Sequence, residues 1–183
     1  MKERIKKLLR EGLIREELSD DEMNNLKRFI DSGDEGNIEM AFMVASGHGE
    51  DVENALFTYW YNNIKGKNLT WDELKNLTKL SFSYDNLTSL PESIVNLRSL
   101  KELDLRFNNL TSLPESIVNL TNLEDLHLYR NKLTTLPKSI GNLKNLKRLM
   151  LANNKLTNLP KSIVNLTNLK SLDLAENQLT TLP

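Results

Sequence analysis

All five prolines fall on one period of 23 residues: Pro91, Pro114, Pro137, Pro160 and Pro183. Around them one unit recurs, L-x-x-L-x-L-x-x-N-x-L-T-x-L-P-x-S-I-x-x-L-x-x. A period of this size constrains the fold more than any composition does, because a unit so short cannot bury its own apolar face. In Leu100-x-x-Leu103-x-Leu105 the apolar residues alternate with Asp104 and Arg106, the mark of a half-buried strand. Leu110, Leu113, Ile117 and Leu120 follow at spacings of three and four, which predicts a turn or short helical return. Each unit makes a strand, turns, and comes back along the outside, and stacked units share one core. Each leucine or isoleucine buried this way contributes about 1.5–3 kcal/mol.

Asn108, Asn131, Asn154 and Asn177 occupy the turn after each strand. An amide there both donates and accepts, so it can satisfy the backbone groups the turn leaves unpaired, and stacking predicts a ladder. The first unit has Asp85, a carboxylate that accepts only, and the ladder is expected to be weaker there.

This unit resembles the leucine-rich repeat family, in its 23-residue class with an LPxSI second half, over about residues 71–183. The resemblance implies an α+β fold. Residues 67–183 would form about five repeats, the last incomplete, as a solenoid. Its concave face would carry a parallel β-sheet and its outer arms short helical or irregular segments. The abundance of Lys, Asn and Ile is similar to that of bacterial members. Two departures mark the first repeat, Phe82 for Leu and Trp71 where later units have Ile94, Ile117, Ile140 and Ile163. At the other end the sequence stops at Pro183, halfway through a unit, so the last edge and its leucines are expected to face solvent.

Residues 1–66 hold six of the seven glycines and no trace of the repeat. They carry 9 basic and 14 acidic side chains, against 15 and 11 in residues 67–183, so two structural units are expected. Four helices can be read. Lys2–Gly12 presents Ile5, Leu8 and Leu9. A Ser19-x-x-Glu22 capping box opens a second, with Met23, Leu26, Phe29 and Ile30 inward. Asp34 caps a third, with Ile38, Ala41, Phe42 and Ala45 inward and Gly47 stopping it. Residues 51–64 form a fourth around Val52, Leu56, Tyr59 and Trp60. An α-helical N-terminal cap is the expected arrangement.

The chemistry-bearing motifs are few. There is no cysteine, which excludes disulfides and thiolate metal sites. Charges interrupt the first 18 residues, and no run is long enough to span a membrane, so a cytoplasmic protein is expected. Gly47-His48-Gly49-Glu50-Asp51 places a histidine beside carboxylates, but it also reads as a helix stop, a turn and an acidic first turn. No P-loop, GxGxxG, HExxH or GxSxG is present. No enzyme activity, cofactor or metal is therefore expected.

Binding would live on the residues that alternate with the strand leucines. In the family this is the concave surface, and it binds other proteins. The positions expected to point outward include Tyr84, Asp104, Arg106, Phe107, His127, Tyr129, Arg130, Arg148 and Lys155. Tyr84, Phe107 and Tyr129 lie in adjacent units and would form one patch, with Arg106 and Arg130 beside it, a composition suited to interface anchors. Between Asp125 and Asp173 there are nine cations and no acidic residue. A partner protein with an acidic surface patch fits this half-ring. Self-assembly through the C-terminal edge into a homodimer is the alternative. Nucleic acid on the basic stretch 126–172 is weaker, since the aromatics lie mostly outside it and the net charge is −1.

Overall fold

The computed structural model describes residues 18–183, so the helix expected over Lys2–Gly12 lies outside the described residues. The chain divides into two compact units, Met1–Leu74 and Lys75–Pro183.

In the first unit, α1 (Asp20–Asp31) opens on the full capping box, with Ser19 and Glu22 exchanging hydrogen bonds between side chains and backbone. α2 (Glu35–His48) is capped by Asp34, whose carboxylate accepts from the Asn37 N–H at 2.9 Å. Its stop is Gly49, at φ 100°, two residues beyond the expected Gly47; the glycine that adopts the positive φ is the one that ends the helix. α3 (Glu50–Lys65) ends on Gly66 in the left-handed region. The inward faces differ in detail from expectation. α2 buries Met40, Ala41, Val44 and Ala45, whereas Ile38 and Phe42 are half-buried. α3 buries Asn54, Leu56, Phe57, Trp60 and Tyr61, and Tyr59 sits half-exposed. Trp60 meets Phe57 at 5.5 Å and Phe42 at 6.1 Å between ring centroids. Trp71, which by register belongs to a first repeat, opens the short α4 (Trp71–Leu74) and meets Phe57 edge-on at 6.4 Å.

The second unit is the repeat. Its strands are β1 (Lys79–Ser81), β2 (Glu102–Asp104), β3 (Asp125–His127), β4 (Arg148–Met150) and β5 (Ser171–Asp173), paired in sequence order and all parallel. The register steps by one repeat at every pairing, from Leu80 to Leu103, Leu126, Leu149 and Leu172. Leu103, Leu105, Leu126, Leu128, Leu149 and Leu151 are fully buried, and Ile94, Ile117 and Ile140 close the core from the arms. The arms are 3₁₀ turns, three of them opening on Pro91, Pro114 and Pro160 in extended conformation. At the β5 edge Leu172 is 41% exposed.

Two ladders of asparagines bind each repeat to the one before. The expected one runs through the turns. Asn131 Oδ1 accepts from the Leu110 N–H at 3.1 Å, and its amide donates to the Leu105 and Leu128 carbonyls at 2.8 and 3.1 Å. Asn108, Asn154 and Asn177 repeat the pattern. The second ladder lies outside that expectation. Asn122, Asn145 and Asn168 each donate to the carbonyl 24 residues earlier, those of Arg98, Thr121 and Lys144, at 2.8–2.9 Å. Their signal was the recurrent asparagine before the unit's first strand-side leucine.

Candidate functional site

The strands set two side-chain columns on the outward face of the sheet, each stepping by one repeat. Lys79, Glu102, Asp125, Arg148 and Ser171 form the first. Its charges pair off. Lys79 meets Glu102 at 2.7 Å, and Arg148 donates twice to Asp125, at 2.6 and 2.7 Å. Behind it Lys147 pairs with Glu124, and Lys101 approaches the same carboxylate at 3.8 Å.

The second column contains Ser81, Asp104, His127, Met150 and Asp173. Asp104, expected on the exposed face, is buried. It accepts from the Arg106 backbone at 3.0 Å and from the Arg106 guanidinium at 2.9 and 2.8 Å, with Ser81 donating at 3.4 Å. It therefore positions Arg106 rather than offering a free carboxylate. Ala152, after β4, is buried as well. His127 and Tyr129 are half-buried, and Arg148 and Lys155 are exposed.

Burial pushes the Asp104 carboxyl up, but the side-chain and backbone hydrogen bonds from Arg106 outweigh it and hold it below the usual carboxylate range. The hydrogen bond from Arg148 lowers Asp125, and that from Lys147 lowers Glu124. Acids whose folded pKa is depressed add stability above their unfolded pKa and lose it as pH falls through the folded one. The urea midpoint of the repeat unit is thus expected to be level from neutrality to mildly acidic pH and to drop below about pH 4. An Asp104→Asn variant should start lower and show a shallower acid limb.

The turn after each strand requires a left-handed residue. Tyr84, Phe107, Arg130, Asn153 and Glu176 take it, with φ between 53° and 65°. Asparagine suits this region; bulky side chains rarely adopt it. The aromatics in this column pack on one another. Tyr84 stacks on Phe107 with centroids 4.2 Å apart and an interplanar angle of 11°. Tyr129, from the next repeat, meets Phe107 edge-on at 5.3 Å. The Arg130 guanidinium lies 5.5 Å over both Phe107 and Tyr129, within cation–π range. Tyr84 remains 66% exposed. The fold thus brings Tyr84, Phe107, Tyr129 and Arg130 into one cluster, with Arg106 held by Asp104 and Lys155 further along. In the helical unit His48 ends α2 half-buried, and no group of three metal-ligating side chains occurs among the described residues.

A family model described as a leucine-rich repeat region matches residues 61–153, just over half of the chain. The chain belongs to the leucine-rich repeat family. A second model, for two copies of the leucine-rich repeat, covers residues 144–183. No curated protein matches the chain at a significant level. Among solved structures, the chain is 34% identical to a TDR receptor, over 56% of this chain and 18% of that one, with a TM-score of 0.53. It is 32% identical to the leucine-rich repeat ectodomain of the receptor kinase SOBIR1 from Arabidopsis thaliana, over 56% and 58%, with a TM-score of 0.51. A Leptospira interrogans leucine-rich repeat protein is 38% identical over 61% and 34%, with a TM-score of 0.47. The chain spans less than two thirds of the length of each of these structures.

Proposed function

We propose that this leucine-rich repeat chain is a protein-recognition module, binding rather than catalytic, whose outward sheet face holds a partner with an acidic surface patch. The observation that carries this reading is the Tyr84–Phe107–Tyr129–Arg130 cluster: aromatic and arginine side chains packed together on an exposed face. Protein recognition is also the general role of leucine-rich repeat domains. The mechanism is rigid presentation. The ladders fix the backbone before binding, so little conformational entropy remains to be lost.

The test uses asparagine, because Asn153 already occupies the same left-handed column in the fourth repeat. A Tyr84→Asn/Phe107→Asn/Arg130→Asn variant is expected to keep the wild-type circular dichroism and lose a protein that immobilised wild type retains from lysate. Equal retention by both would remove recognition from this column. A mass that rises with concentration in both would favour self-association instead.

A further inference from the structure

Ion pairing divides the sheet face into a neutral flank and a charged one. On the neutral flank Glu102, Asp104 and Asp125 each have their cation. On the other, Arg130, Lys132 and Lys155 have no carboxylate partner among the described residues. These three lie on the third and fourth repeats, and the Tyr84–Phe107 stack lies on the first and second. Strands are spaced by about 4.8 Å, so Tyr84 and Lys155 are separated by roughly 14 Å across the sheet. That is the reach of about four residues of extended chain.

The backbone supplies a second, independent observation. Asn153 shows which residue the left-handed column accommodates easily, yet the column also carries Tyr84, Phe107 and Arg130. Tyr84 fills no core, being mostly exposed. Backbone strain kept for surface side chains is the pattern of a site held at the expense of stability.

Building on the recognition surface described above, the geometry points to its occupant: an extended acidic segment of a partner protein crossing the strands. A large apolar or aromatic side chain packs on the exposed ring of Tyr84, which Phe107 backs, and carboxylates a few residues on meet Arg130, Lys132 and Lys155. Single-stranded nucleic acid would need a series of open ring faces for successive bases. Phe107 offers none, with Tyr84 stacked on it and Arg130 over it, and the same guanidinium covers the half-buried Tyr129, so Tyr84 is the exposed ring of this cluster.

The probe is the synthetic peptide acetyl-Phe-Gly-Asp-Glu-Glu-amide, titrated to millimolar concentration into isotopically labelled protein and followed by amide chemical shifts. Saturable shifts are expected around residues 84–86, 107–109, 130–132 and 155, weakening as salt is raised. Affinity should fall about tenfold or more when the peptide's carboxylates become amides, when its Phe becomes Ala, and in Arg130→Asn protein. Lys132→Gln gives the same direction of change without touching the strained column. Absence of saturable shifts, equal binding of the amide peptide, or tighter binding of a uridine oligonucleotide would each overturn the proposal. If wild type still captures a protein through the column while the peptide fails, the acidic segment is wrong and the recognition surface stands. If both fail, the surface itself is wrong.

Discussion

An Asn131→Ala variant is expected to lose roughly 2–5 kcal/mol of stability, since each buried polar group left unpaired costs about 1–3 kcal/mol. The amide is buried and serves two repeats at once. Its removal strands the Leu110 N–H and leaves the Leu105 and Leu128 carbonyls without that donor. Asn131→Asp should be nearly as damaging, because a carboxylate cannot donate to those carbonyls and would be charged in an apolar site. Asn177, at the last strand, makes equivalent bonds but is only half-buried, and water can replace them. Asn177→Ala should therefore cost about 1 kcal/mol. Urea unfolding of the three variants against wild type checks the order, and equal losses at 131 and 177 would contradict a burial-dependent ladder.

Gly141→Val should be the most damaging single change on the outer arms. The equivalent positions in neighbouring repeats are Val95, Val118 and Val164, so family pattern alone would call the substitution a repair. The structure predicts the reverse. A Cβ on Gly141 would lie 2.0 Å from the Ser162 carbonyl oxygen and 2.9 Å from its carbon, both backbone atoms that cannot rotate away. The third and fourth arms would have to separate, at a cost of about 3 kcal/mol, the upper end for overpacking. Because repeats are stabilised mainly by their neighbours, the damage should sit at that junction. Hydrogen exchange should show faster exchange of β4 and β5 amides in the variant, with β1 and β2 less affected. A variant as stable as wild type would mean that the arms part without penalty.

Much of this fold was legible because the same physical demand recurs in every unit. The strand leucines, the arm isoleucines and the turn asparagines are each required by burial or by an unpaired backbone group, and their spacing states the requirement repeatedly. The candidate site was legible only in part. Tyr84, Phe107 and Tyr129 fall together because strand spacing is fixed, and that much follows from period and register. Asp104 does not follow. Alternation assigns it to the outward face, but Arg106 two residues on folds over it, and alternation carries no information about a side chain's neighbours. The left-handed turn was equally hidden, since the residues that occupy it, Tyr84, Phe107, Arg130 and Glu176, are not the types that announce it. Gly141 was hidden for the opposite reason: nothing in one sequence tells a harmless gap in a pattern from a close approach of two backbones.

The constant register has a consequence for how such a chain can change. Each strand pairing joins residues one repeat apart, and each ladder bond that crosses between repeats joins residues within a few positions of that distance. Gaining or losing a whole unit in the gene would therefore let most of these bonds re-form between new neighbours. The outward-facing residues would travel with their unit as a block, moving an aromatic turn or an unpaired lysine to a new place in the row. Such a surface can be rewritten by recombination, in steps of one repeat, without first rebuilding the core beneath it.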